Sequence, residues 1–341
     1  MSMHDPAHPP QSPRHRWHIR LGAGAAVALA AVATFAYAPA AYAATFAQEG
    51  WSTQGGGTPG GSSSTTVTVT SLSALTSAAA SGTSQTVYVN GNFACSADVT
   101  VASNKTVVGV GSGSGLTGCG LRLVDVNNVI VRNLKIAKVQ AGTGNGDAVH
   151  IDGATHLWID HNDLSSDTTH GTDYYDGLVD ISHAADYITV SWNYEHDHIK
   201  CNLLGHSDSN AAEDTGHLRV TYHHNYFRNC DQRGPRVRFG NPVHVFNNYY
   251  YNSGTYGVAS TCGAGVYAER NYFENTPNTV VTQTGSSPTG NVKLLNNYLV
   301  NSGTPASLNA SSVAAIPYAY TVDANSNVKS VVTAGAGTGK I

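Results

Sequence analysis

The stretch Ile188-Thr189-Val190-Ser191-Trp192-Asn193-Tyr194 holds the pattern that decides the fold: alternating apolar residues, then Asn, then an aromatic. It returns as VTYHHNY at 220–226, VHVFNNY at 243–249, VYAERNY at 266–272 and VKLLNNY at 292–298. NVIVRNL at 128–134 and LWIDHND at 157–163 match it without the final aromatic. Period-2 alternation marks a strand with one buried face. The Asn residues fall at 133, 162, 193, 225, 248, 271 and 297, spaced by 29, 31, 32, 23, 23 and 26 residues. Repeats of this size imply a solenoid or a propeller, and a four-stranded propeller blade needs about 40 residues or more. The coils are too short for that, so an all-β parallel β-helix solenoid with two or three short strands per coil is predicted. One coil cannot bury its apolar face alone, whereas stacked coils share a continuous core.

The repeated Asn reads as a bend residue that adopts the left-handed conformation and bonds its equivalents above and below. The aromatics that follow (Tyr194, Tyr226, Tyr249, Tyr272, Tyr298) read as a packing stack. Wider spacing in the earlier repeats implies extra loops on one face, which places function between residues 140 and 240. The core repeats span about residues 100–302. Residues 71–80 (SLSALTSAAA) read as a short N-terminal capping helix. The chain after about Ser302 loses the repeat and is expected to wrap the solenoid, with the last ten residues disordered.

Composition agrees with this reading. Only 12 % of the 341 residues are charged and 36 are Gly, which argues against a coiled coil and against charge-driven disorder. A net charge of −4 offers no basic field for nucleic acid. Arg14, Arg16 and Arg20 precede an apolar run that ends at Ala41-Tyr42-Ala43, the layout of a secretory signal peptide over residues 1–43. Its removal takes away three Arg and Asp5, so the net charge moves from −4 to −6. Residues 44–341 are expected to form a single exported domain with no stable membrane association. The five cysteines, Cys95, Cys119, Cys201, Cys230 and Cys262, lack zinc-site spacing. Export permits disulfides and an odd count leaves a thiol free; Cys95 and Cys119 are the closest candidates, and the other connectivity is open.

Two clusters stand out in the wide coils. Asp147 lies 33 residues before Asp180, and Asp176 lies four before it, so Asp176 and Asp180 are expected on one side of a strand. Crowded carboxylates repel unless a cation sits among them, and oxygen donors favour Ca²⁺ or Mg²⁺; solvated surface acids are the alternative. The basic cluster is Arg233, Arg236 and Arg238, with Lys200 33 residues before Arg233. It reads as an anion-binding feature, or as ion pairing with nearby acids. A cation site beside such a cluster suits a polyanion whose carboxylates bridge both.

Residues 128–275 resemble the pectate lyase family, the right-handed parallel β-helix polysaccharide lyases. The matching motifs include Trp158-Ile159-Asp160-His161, Asp176-Gly177-Leu178-Val179-Asp180, Gly205-His206-Ser207-Asp208, Tyr222-His223-His224-Asn225 and Arg233-Gly234-Pro235-Arg236-Val237-Arg238-Phe239-Gly240. The resemblance puts Ca²⁺ ligands at Asp147, Asp176 and Asp180, with Asn145 where some relatives carry a further Asp. It puts the proton-abstracting base at Arg233 and partners of the substrate carboxylate at Lys200 and Arg238, with Arg236 beside them. His161, His206, His223 and His224 are read as structural or supporting.

The implied substrate is polygalacturonate, the de-esterified form of pectin, and the implied reaction is β-elimination by a secreted monomer. A neutralised C6 carboxylate eases loss of the C5 proton, and the C4 oxygen leaves to give a 4,5-unsaturated end. An arginine base is demanding, because guanidinium ordinarily stays protonated; Lys200, Arg238 and a bound cation all disfavour a further positive charge beside them. A pectin lyase would take methyl esters that cannot bridge Ca²⁺, which the three aspartates argue against. A glycoside hydrolase would use a carboxylate pair and leave the basic cluster unexplained. A non-catalytic carbohydrate-binding β-helix would need neither cluster.

Overall fold

In the computed structural model, which describes residues 46–341, the repeats stack into three parallel sheets of ten, eight and nine strands. Each coil visits them in a fixed order: Asp163–Ser165 in the nine-stranded sheet, Val179–Ser182 in the eight-stranded, Asp186–Ser191 in the ten-stranded, then Tyr194–Lys200 in the nine-stranded again. This is the right-handed parallel β-helix expected. The alternating apolar residues stack in register: Leu157 on Ile188 and Ile159 on Val190, then Val190 on Tyr222 and Tyr222 on Val245. All are fully buried, each contributing roughly 1.5–3 kcal/mol for a side chain of this size. Regular stacking starts at Thr66–Val69, two strands of the ten-stranded sheet before residue 100; the first leads into the helix rather than to an Asn, and the second, Gln85–Val89, leads into Asn90-Gly91-Asn92-Phe93, set 41 residues before Asn133 rather than one coil away.

The helix Leu72–Ala80 begins where Ser71 accepts a hydrogen bond from the Ala74 amide, an N-cap that satisfies an otherwise orphaned donor. It buries Leu75, Ala78 and Ala79 in the core beneath the first strands. Residues 1–43, assigned to an export leader, lie outside the described residues.

The asparagine ladder runs from Asn162 through Asn193, Asn225, Asn248 and Asn271 to Asn297, each Nδ2 donating to the next Oδ1 at 3.0–3.1 Å. The second Nδ2 proton goes to a strand carbonyl, such as that of Ile159 from Asn193. Two details differ from expectation. The left-handed residue is the one before each ladder Asn: His161, Trp192, His224, Asn247, Arg270 and Asn296 have φ of 50–54°. Asn133 falls at that preceding position, with φ 56°, and Leu134 holds the ladder level, its amide donating to Asn162 Oδ1. The motif is displaced by one residue there because Arg132, not Val131, is level with Asp160. The tyrosines stack outside the ladder, Tyr194 on Tyr226 at 5.1 Å and Tyr226 on Tyr249 at 4.8 Å.

The C-terminal segment does wrap the solenoid, but its last ten residues are docked rather than free. Val328 and Val332 of the helix Val328–Gly335 are buried against Tyr249 and Tyr272. The Gly337 amide then donates to the Trp192 carbonyl and the Gly339 amide to Asn133 Oδ1. Composition suggested disorder because small residues offer little to bury, yet backbone amides can still cap exposed carbonyls of the turns.

Glu195 is an exception inside the core. It accepts from Asn202 Nδ2 at 3.2 Å, while its Oε2 has no partner among the described residues. Burial pushes its carboxyl from 4.5 up to about 8. The folded state thus keeps a proton that the unfolded chain releases, so stability falls as pH rises through that window. Glu195→Gln is expected to remove this loss, on the order of a few kcal/mol. Thermal melting should give similar curves for variant and wild type near pH 4 and a more stable variant near pH 9; identical pH profiles would contradict the assignment.

Candidate active site

The acids and bases gather where the chain passes from the nine-stranded to the eight-stranded sheet. Asp147 ends the loop after Lys135–Ala137, and Asp176 lies in the loop after Asp163–Ser165, one coil on. Asp180 is in the strand Val179–Ser182. Lys200 ends Tyr194–Lys200, Arg233 occupies the short turn after Tyr226–Gln232, and Arg236 and Arg238 are the two ends of the next strand. Two long loops at this turn account for part of the wide spacing. The third insertion, residues 205–219, lies at the other end of the same strands, between Asn202–Leu204 and Val220–His223, so the extra residues do not all sit on one face.

The register differs from a simple count of residues per coil. Asp180 is level with His150, and Asp147 is level with Gly177, whose amide donates to Asp147 Oδ1 at 2.9 Å. Lys200 is level with Gln232, not Arg233. Asp176 precedes the strand and does not share its alternation with Asp180. Spacing equals register only when the turns crossed are equally long, and here they are not.

The acids nevertheless converge. Asp147 is 3 % and Asp180 9 % exposed. A β-carbon on Gly177 would collide with Asp180 Oδ1 and lie 2.7 Å from Asp147 Oδ1, so only glycine leaves both carboxylates their space. Burial, then Asp176, pushes Asp147 up to about 8. Burial, then Asp147, holds Asp180 well above the carboxylate range, with Arg233 opposing. Asp147 Oδ2 also meets His150 Nδ1 at 2.7 Å, and Asp180 Oδ1 accepts from the Leu203 amide. Asp176 turns to Lys200, 3.0 Å from its Nζ, which also reaches Asp173 at 3.1 Å.

Two buried carboxylates whose pKa values are raised by burial and by neighbouring acids, Asp176 for both and Asp147 for Asp180, suit a hard divalent cation, which would reverse the penalty. Among the described residues, no three acidic, histidine or cysteine side chains already enclose such an ion, because Asp176 points to Lys200 and Asp147 is engaged by His150. The donor set fits a cation; its closure depends on Asp176.

The cationic side chains differ in how they are held. Arg238 is 7 % exposed and bonds Asp208 Oδ1 through Nε at 2.6 Å and the Gly205 carbonyl through NH1 at 2.8 Å. Arg236 donates to Ser287 Oγ at 2.7 Å. Of Lys200, Arg233, Arg236 and Arg238, Arg233 alone makes no side-chain hydrogen bond or ion pair among the described residues; its Nε, like that of Arg236, is buried without a partner. Its backbone is left-handed, φ 67°, an uncommon state for a non-glycine residue. That state is enforced from both sides: the Asn202 amide donates to the Arg233 carbonyl at 2.6 Å, and Tyr250 Oη donates to the Gly234 carbonyl at 2.6 Å.

Sequence reasoning missed His150 and Asp173, which lie three residues from Asp147 and Asp176 without a recognisable pattern, and Tyr250 and Ser287, which come from other coils. Asp208 had a trace of one, lying 30 residues before Arg238. The Cys95–Cys119 bridge is present, and so is Cys201–Cys230, which ties the residue after Lys200 to the neighbouring coil; Cys262 is free. His161, His223 and His224 lie at the opposite turn, packed around Trp192 and Phe246, and His206 stacks on His183 at the surface.

Known proteins similar in sequence and fold are consistent. A sequence model of pectate lyases matches residues 25–341. A probable pectate lyase B of Aspergillus flavus is 49 % identical over 225 residues, 66 % of this chain and 68 % of the relative. A pectate lyase of Emericella nidulans is 44 % identical over 273 residues, covering 80 % and 82 %. A pectate lyase from Bacillus sp. N165, solved in complex with trigalacturonate, superposes with a TM-score of 0.75 at 32 % identity, over 86 % of this chain and 99 % of that one. Pectate lyase II of Xanthomonas campestris pv. campestris gives 0.71 at 27 %, over 86 % and 99 %. With its β-helix, its crowded acids and its basic cluster on adjoining coils, the chain belongs to the pectate lyase family and is an enzyme of that family.

Proposed function

We propose that the protein is an exported, monomeric, Ca²⁺-dependent pectate lyase that cleaves polygalacturonate by β-elimination. The observation that carries this reading is the contrast among the cations: Lys200, Arg236 and Arg238 are held by side-chain partners, while Arg233, beside Asp147 and Asp180, has none among the described residues. Export is supported by the leader-like residues 1–43 and by the two disulfides, which belong to oxidising compartments. No helix among the described residues is long and apolar enough to cross a membrane.

Asp147, Asp176 and Asp180 would hold Ca²⁺, with Asn145 as a neutral oxygen donor nearby. When bound, the cation supplies positive charge that neutralises a substrate carboxylate. Arg238 and Arg236 pair with uronate carboxylates and fix the sugar. Lys200 joins them once Asp176 gives up its ammonium, so metal and substrate sites share one contact. Arg233, held by its turn, takes the C5 proton; electrons from the C5–H bond form the C4–C5 double bond as the C4 oxygen leaves.

Substrate preference tests the reading. Polygalacturonate is expected to be turned over at least about tenfold faster than highly methylated pectin at equal concentration, since each ester removes a charge-assisted contact. A clear preference for the methylated polymer would make the enzyme a pectin lyase.

A further inference from the structure

Asp208 and Ser287 touch neither the acids nor Arg233, yet they join the two arginines of the strand Arg236–Arg238. Asp208 Oδ1 accepts from Arg238 Nε at 2.6 Å, and its Oδ2 accepts from Ser287 Oγ at 2.7 Å. Ser287 Oγ in turn accepts from Arg236 NH2 at 2.7 Å. A serine hydroxyl has one proton. It is committed to the carboxylate, so the oxygen's lone pairs face Arg236 and the chain has one polarity. Ser287 is 2 % exposed, 79 residues from Asp208.

Arg236 and Arg238 alternate with Val237, so both project to one side of the strand. Two neighbouring guanidinium groups repel. The single carboxylate of Asp208, held down to about 2 by Ser287 and Arg238, offsets part of that charge, orienting Arg238 directly and Arg236 through Ser287. A guanidinium already oriented loses little freedom when it pairs with an incoming carboxylate.

We propose that Asp208 and Ser287 are positioning residues that orient Arg238 and Arg236 toward substrate carboxylates, making polygalacturonate affinity depend on the loop around Ser287. This rests on the lyase reading above. The test compares Ser287→Ala, Asp208→Asn and the double variant in steady-state turnover of polygalacturonate, with thermal melting alongside. Ser287→Ala is expected to raise KM about 5- to 20-fold with kcat within about twofold, the effect of losing hydrogen bonds to charged groups. Asp208→Asn should do at least as much, and the double variant no more than Asp208→Asn alone, because both act through one chain of bonds. A KM within twofold of wild type in Ser287→Ala overturns the proposal, whatever the melting temperatures. So do additive effects in the double variant. Should Asp208→Asn fail to fold, Ser287→Ala still decides. A wild type with no turnover of polygalacturonate overturns the lyase reading itself, whereas an active wild type with unaffected variants overturns the positioning role alone.

Discussion

Arg233→Lys is expected to lose about 10²–10⁴-fold in kcat, the usual cost of removing a positioned general base, with little change in KM. Lysine keeps the positive charge, so the variant separates a base from an electrostatic partner. Its compact ammonium lacks the planar reach of guanidinium. The fold should survive, because the Arg233 side chain bonds to nothing among the described residues and its turn is held through the Asn202 amide and Tyr250 Oη. Steady-state kinetics on polygalacturonate, with a melting curve for each protein, measures both parts. A rise in KM alone would make Arg233 a binding residue and move the search for the base to Lys200.

Asp180→Ala should have the next largest effect. Asp180 is the carboxylate that faces both Asp147 and Gly177, so its loss opens the centre of the proposed Ca²⁺ site. Half-saturating Ca²⁺ is expected to rise at least about tenfold, in line with loss of one charged ligand worth a few kcal/mol. Turnover at low Ca²⁺ should fall accordingly. The metal-free protein should not be greatly destabilised, because the change also removes a buried carboxyl whose charge is unfavourable. Activity titrated against Ca²⁺ checks this; an unchanged Ca²⁺ dependence would remove Asp180 from the site.

The fold was legible because its signal is periodic. Val190, Tyr222 and Val245 recur at one offset from Asn193, Asn225 and Asn248, and in the structure they stack in register. The same reasoning failed where periodicity is absent. The strand Thr66–Val69 has no Asn after it, Asn92 stands 41 residues before Asn133 rather than one coil away, and the docking of Gly337 and Gly339 uses backbone amides that composition does not record. In the site, residue types were readable but levels were not. Asp147 beside Gly177, and Lys200 beside Gln232, depend on the lengths of individual turns. The partners that discriminate among the cations, Asp173, Asp208 and Ser287, arrive from separate loops. Only their convergence distinguishes a free Arg233 from a held Arg238.

The most direct measurement of the central claim is the reaction itself: purified protein with polygalacturonate, followed by ultraviolet absorbance of the unsaturated product and by new reducing ends, with Ca²⁺, with EDTA, and with Ca²⁺ restored. The account predicts absorbance and reducing ends rising together in Ca²⁺, both stopping in EDTA and both returning when Ca²⁺ is restored. Reducing ends without absorbance would mean hydrolysis, and elimination that continues unchanged in EDTA would mean that Asp147, Asp176 and Asp180 serve no metal; either result would contradict it.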